Sequence, residues 1–137
     1  MDKVKKQLAY LFYISFIFIT LLLLIGKLRT GRASIFGFRP VFVLTGSMEP
    51  VIHTNSLILT KVTDAASVNI GDIVVYKEPV LINGRKTHHS LSIVHRIINK
   101  NEDGSFIFKG DANATPDEKA VKPDQILYKV IDTDVFR

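Results

Sequence analysis

A small, mostly antiparallel β domain behind one membrane-crossing helix is the fold class that this sequence predicts. Three observations lead to it. Between Lys6 and Lys27 lie twenty residues without a charge. After that stretch, short apolar runs rich in β-branched and aromatic residues alternate with turn residues, and no long helical period appears. The 137 residues suit one small domain plus an anchor, and with no cysteine the fold cannot rest on disulfides.

The apolar stretch from Leu8 to Ile25 reads LAYLFYISFIFITLLLLI. At about 1.5 Å per residue, twenty helical residues span roughly 30 Å, the thickness of a bilayer's hydrocarbon core. Ser15 and Thr20 can bond the helix's own backbone and so cost little there. A cleavable secretory signal would have a shorter apolar region followed by small residues, whereas Lys27, Leu28 and Arg29 follow this one. A core helix of a soluble protein would not be apolar all round. Residues 1–32 therefore read as a membrane anchor with basic flanks, and residues 33–137 as the soluble β domain. Lys3, Lys5 and Lys6 before the helix balance Lys27, Arg29 and Arg32 after it, so the positive-inside rule does not set the orientation.

Residues 27–40, KLRTGRASIFGFRP, read as a linker leaving the membrane. Strand-like runs follow at Val41–Leu44, Ser56–Val62, Asp72–Tyr76, Ser90–Asn99, Ser105–Lys109 and Ile126–Ile131. Asn101-Glu102-Asp103-Gly104 is a turn signal that joins two of them into an expected hairpin.

The net charge of +5 lies entirely in residues 1–32, where six basic residues stand against Asp2, while residues 33–137 carry twelve basic and twelve acidic residues. The basic charge thus suits anionic lipid head groups, and no basic face remains for a phosphate backbone. Nucleic acid is set aside as a partner, and the lack of cysteine excludes thiol catalysis and zinc–thiolate sites.

Three segments carry candidate chemistry. Thr45-Gly46-Ser47-Met48-Glu49-Pro50 follows the first run, where Gly46 permits a tight backbone and Pro50 stops entry into a helix or ladder. Taken alone, it is an ordinary polar turn. Ser92-Ile93-Val94-His95-Arg96-Ile97 puts Ile93, His95 and Ile97 on one face of a strand and Val94, Arg96 and Ile98 on the other. A histidine there is a structural residue or a general base titrating near pH 6.5. Gly110-Asp111-Ala112-Asn113 with Thr115-Pro116-Asp117 reads as a turn on its own terms. Together the three supply a serine, a base to take its proton, and carboxylates to fix that base's tautomer.

These segments resemble the boxes of the signal peptidase I family. TGSMEP is similar to the Ser-Gly-Ser-Met-x-Pro box around that family's nucleophile, and Asn69-Ile70-Gly71-Asp72-Ile73-Val74 to its Gly-Asp-Ile-Val segment. Ile93-Val94-His95-Arg96-Ile97 resembles the box of the ER-type (SipW-like) branch, in which a histidine replaces the lysine base of the bacterial type. Lys109-Gly110-Asp111-Ala112-Asn113, with Asp117 beyond it, resembles the box with two functional aspartates. The four boxes keep the family's order behind one N-terminal helix, and the resemblance covers roughly residues 8–131.

The resemblance implies a membrane-bound serine endopeptidase that removes signal peptides from exported preproteins. It implies Ser47 as nucleophile, His95 as base, and Asp117 and Asp111 as its supports, with Asp117 favoured as the direct partner. The Ser47 backbone N–H and the Thr45 hydroxyl become the oxyanion candidates. Lys77 is the rival base, read more simply as a solvated strand end; His53, His88 and His89 receive no role, the last two read as loop residues. No metal or organic cofactor is implied. The implied partners are membrane lipid, signal peptides and the secretion translocon. The implied location is the cell membrane, N-terminus in the cytoplasm and β domain outside. Family members usually continue past the last run with another strand, many with a second membrane helix, whereas this sequence stops at Arg137. The expectation is that ending near ILYKVI leaves a strand edge, or part of a core face, without its covering partner, at a cost in stability and activity. Two other readings follow: a non-catalytic membrane protein that keeps the fold and acts by interaction, and a relative of the self-cleaving LexA-type repressors. The anchor and the histidine box argue against the last.

Overall fold

A computed structural model describes residues 2–30, 34–82 and 85–133, without the side chains of Asp2, Thr30, Lys86 and His88. The chain divides into two compact units, residues 1–39 and 40–137. The expected junction at 32/33 lies outside the described residues.

In the first unit, helix α1 runs from Asp2 to Thr30. It is long and apolar enough to cross a membrane, with a mean hydropathy of 2.6 and none of that stretch buried. Ser15 Oγ donates to the Phe12 carbonyl and Thr20 Oγ1 to the Phe16 carbonyl, each at 2.8 Å, so both hydroxyls are satisfied within the helix. Lys27, Leu28, Arg29 and Thr30, expected in a linker, are its last turn. The reason is that cations at a helix C-terminus are favourable beside its free carbonyls. The rest of the expected linker is also structured in part. Ile35 and Phe38 exchange both backbone hydrogen bonds, at 3.0 and 2.9 Å, around Phe36 and Gly37, which both have positive φ.

Six strands follow: β1 (Phe38–Phe42), β2 (Leu57–Val62), β3 (Ile73–Ile82), β4 (Arg85–Lys100), β5 (Phe106–Lys109) and β6 (Ile126–Asp132). They form one sheet in the order β1-β2-β6-β3-β4-β5. The pairings of β2 with β6, β6 with β3, β3 with β4 and β4 with β5 are all antiparallel. A single turn of 3-10 helix, Pro123–Gln125, leads into β6.

Three sequence expectations change here. The first strand begins at Phe38 and ends at Phe42, so Val43 lies beyond it and instead bonds the backbone of Asn55 and Ser56. The third and fourth runs are parts of a much longer hairpin, with Ile82 paired to Arg85. Lys77 is therefore inside β3 and not at a strand end, and His89 is in β4 and not in a loop. Finally, β6 is not an edge, because β2 flanks it on one side and β3 on the other.

Register decides which side chains meet. Val74 lies opposite His95 and Tyr76 opposite Ile93, whereas Val75 lies opposite Val94 and Lys77 opposite Ser92. Directly paired residues share a face and neighbours alternate. One face therefore carries Val74, Tyr76, Ile93, His95 and Ile97, and the other Ile73, Val75, Lys77, Val94 and Arg96. The first face packs with Phe106, Phe108, Val121 and Ile126. On the second, Ile73 joins Val43, Met48, Ile52 and Ile58, and Val75 joins Leu127 and Tyr128. Both faces are covered at the start of β3, so Ile73 to Tyr76 are buried without interruption.

Candidate active site

Ser47 sits in a turn pinned from below. The neighbouring Met48 and the nearby Ile52 are fully buried in the cluster with Val43 and Ile58. Two backbone bonds set the turn, Glu49 N–H to the Gly46 carbonyl at 3.1 Å and Ile52 N–H to the Met48 carbonyl at 2.9 Å. The Glu49 carboxylate accepts from the Thr54 N–H at 2.8 Å and lies 2.7 Å from His53 Nδ1. The Thr54 N–H, and then His53, hold the Glu49 carboxyl below its ordinary range. His53 is thereby occupied in closing the turn. The Ser47 hydroxyl stays at the surface, 3.5 Å from Thr45 Oγ1, and among the described residues no hydrogen bond occupies the Ser47 N–H.

The loop after β5 meets this turn directly. The Ala112 N–H donates to the Ser47 carbonyl at 3.0 Å. A side chain at Gly110 would place its Cβ 2.5 Å from that same carbonyl oxygen and 2.8 Å from Asn113 Nδ2. Glycine is needed here for close approach, since the obstructing atom is backbone and cannot rotate away. Gly110→Ala is expected to cost about 1–3 kcal/mol through forced displacement. Thermal unfolding of the variant checks this, and an unchanged melting temperature would show that the loop yields freely.

The same loop reaches His95. The Asp117 N–H donates to the Phe108 carbonyl at 2.9 Å, which sets Asp117 beside β4. Its Oδ2 lies 2.7 Å from His95 Nδ1, with the histidine side chain 11% and the carboxylate 17% exposed. A carboxylate at Nδ1 fixes the neutral ring as the Nδ1–H tautomer and leaves the Nε2 lone pair free to accept a proton. Tyr76 Oη also donates to Asp117 Oδ2, at 2.8 Å. Asp111 does not touch His95. It accepts from Arg96 Nε at 2.8 Å and Arg96 Nη2 at 2.6 Å, while Arg96 Nη1 donates to the Gly71 carbonyl at 2.9 Å. The Asp111 bond raises the Arg96 pKa further, and this forked pair fastens the loop to the strand.

One loop thus carries Asp111 and Asp117, grips the Ser47 turn and seats Asp117 on His95, although among the described residues no hydrogen bond joins Ser47 Oγ to the histidine. Lys77 is exposed and lies on the sheet face opposite His95. A cavity of about 700 Å3 between the long hairpin and residues 118–125 adjoins this arrangement at Tyr76 alone; Ser47, His95 and Asp117 do not line it. Sequence reasoning missed Tyr76, Arg96 and Gly110. Alternation could have put Tyr76 on the face of His95, but nothing in the sequence tells that its hydroxyl reaches Asp117.

The chain is 28% identical over 130 residues to signal peptidase I W of Bacillus subtilis (strain 168), an alignment covering 92% of this chain and 64% of that protein. That similarity supports a signal peptidase I reading of the ER-type (SipW-like) kind. Human relatives of the branch agree. The putative signal peptidase complex catalytic subunit SEC11B is 36% identical over 90 residues, 63% of this chain and 49% of that one. The catalytic subunit SEC11C is 36% identical over 89 residues, 62% of this chain and 42% of that one. This chain therefore spans less than two thirds of the curated relatives' length. No family model matches the chain. No solved structure matches it either.

Proposed function

We propose that the chain is a membrane-bound serine endopeptidase that removes signal peptides from exported preproteins. The observation that carries this reading is the His95–Asp117 pair at 2.7 Å, held by the loop whose Ala112 N–H grips the Ser47 carbonyl. In the proposed reaction Ser47 Oγ attacks the scissile carbonyl carbon as His95 Nε2 takes its proton. Asp117 stabilises the imidazolium that results. The oxyanion of the tetrahedral intermediate accepts from the Ser47 N–H and the Thr45 hydroxyl, and one such donor is typically worth about 3–4 kcal/mol of barrier. The imidazolium then protonates the leaving amine. Water, activated by the same histidine, hydrolyses the acyl-enzyme and regenerates Ser47. Asp111 serves indirectly, by holding the loop through Arg96.

The test is cleavage of a fluorogenic signal-peptide substrate by the full chain purified in detergent, with the nucleophile variant as control. Turnover by the wild-type chain that the control lacks supports the reading. No turnover by either would favour a non-catalytic, interacting membrane protein.

The proposed topology has α1 spanning the membrane, the N-terminus in the cytoplasm and residues 33–137 on the outer side. The family reading supports it, because exported preproteins present their cleavage sites there. Cysteine introduced at Ser67, an exposed residue in a chain without cysteine, provides the check. An impermeant thiol reagent should label it on intact cells. Labelling only after lysis would refute the orientation.

A further inference from the structure

We propose that Tyr76 is a positioning residue that sets the basicity of His95 through their shared bond to Asp117, an inference that rests on the peptidase reading. Two donors converge on one carboxylate oxygen: Tyr76 Oη at 2.8 Å and His95 Nδ1 at 2.7 Å from Asp117 Oδ2. A buried phenol needs an acceptor, and this tyrosine takes the oxygen that the histidine also bonds. Tyr76 is 3% exposed and locked on two sides, with its ring 4.6 Å from Phe108 and edge-on to His95 at 6.4 Å. Burial, and then the bond to Asp117, pushes the phenol well above its ordinary range, so it remains a donor wherever the enzyme works.

The physical consequence concerns charge. A carboxylate oxygen that already accepts a phenol proton has less negative charge to offer an imidazolium. Tyr76 therefore fixes the carboxylate's direction and also limits how far Asp117 raises the proton affinity of His95. Of the other charged groups on the surrounding elements, three have partners of their own. On β4, Arg96 is bound to Asp111 and to the Gly71 carbonyl, on the opposite face. Lys129 of β6 pairs with Asp72 at 2.7 Å, and Glu78 of β3 pairs with Lys119 at 3.3 Å. Lys109 of β5 lies across from Arg96, and Glu118 next to Asp117 is exposed.

Tyr76→Phe keeps the ring and deletes only the donor. In the full chain in detergent, the His95 imidazole is titrated by NMR, and cleavage of the signal-peptide substrate is measured across pH. The expected result is a rise of the His95 pKa by roughly half to one unit, since Asp117 is released to the imidazolium alone. The acid limb of kcat should move up with it. Well down the acid limb of the wild-type profile, kcat should fall about three- to tenfold with KM within about twofold, because the change acts on the base and not on substrate binding. In an Asp117→Asn background the same tyrosine substitution should leave the His95 pKa where it is. An unmoved His95 pKa in the single variant would overturn the proposal whatever happens to the rate. An equal shift in the Asp117→Asn background would overturn the route through Asp117. The NMR titration does not require turnover, so a chain that fails to cleave counts against the peptidase reading, and the titration still decides the role of Tyr76.

Discussion

Ser47→Ala is expected to reduce signal-peptide cleavage to background, a loss on the order of a millionfold in kcat if the serine and its base act as a unit. The loss should come without unfolding. Among the described residues the Ser47 hydroxyl hydrogen-bonds only to Thr45, at 3.5 Å, whereas the turn is held by buried Met48 and Ile52 and by the backbone bond from Ala112. The melting temperature should therefore stay within about 2 °C of the wild-type value, since a surface hydroxyl so placed contributes well under 1 kcal/mol. Circular dichroism melts and the cleavage assay, run on one preparation, separate the two effects. Cleavage by the alanine variant at the wild-type rate would show that the nucleophile lies elsewhere.

The second large effect distinguishes the two candidate bases. His95→Ala is expected to lower kcat by about ten-thousandfold or more, and Lys77→Ala by no more than about twofold. Lys77 is exposed on the opposite face of the sheet, and its backbone carbonyl accepts from Gln125 at 2.7 Å, so its mainchain is held while its ammonium faces away. Removing the His95 ring also leaves the Asp117 carboxylate with one donor fewer in a mostly buried place. The variant should lose about 1–3 kcal/mol of stability as well. His95→Gln, which can still donate to Asp117, should recover part of that stability and none of the activity. An inactive lysine variant beside an active histidine variant would reverse the assignment.

The long apolar helix, the strand-rich domain and the segments of the candidate site were legible in the sequence through different signals. The helix was legible because twenty uncharged residues leave few alternatives. The strands near the core were legible because Ile73, Val74, Val75 and Tyr76 are β-formers beside turn residues. The distal half of the hairpin was not, because Lys77, Glu78, Pro79, Arg85 and Lys86 carry no apolar alternation to mark a strand. The Asn83-Gly84 dipeptide, favoured in two-residue hairpin connections, was the signal that could have found it. The site follows the same division. Resemblance could single out Ser47, His95, Asp111 and Asp117 and favour Asp117 beside the histidine, but what puts it there is the path of the loop. That path is fixed by Gly110 pressing on Ser47 and by Asp117 bonding Phe108, contacts between residues far apart in the chain. Tyr76 and Asp117 are separated by 41 positions, and no local pattern encodes such a meeting.

The central place of β6 has a consequence for the order in which the molecule is made. Among the described elements α1 is made before β1 and β2, these before the β3–β4–β5 meander, and β6 after all of them. Until residues 126–132 leave the ribosome, β2 and β3 have no strand between them, and Leu127 and Tyr128 are not there to cover Val75. The nascent chain thus holds two unjoined sheet fragments whose facing edges await one late segment, a non-local closure of the kind that folds slowly. The Ser47 turn can meet Ile73 of β3 and the Ala112 N–H before then, but β2 joins the rest of the sheet only when β6 slides between its two older neighbours.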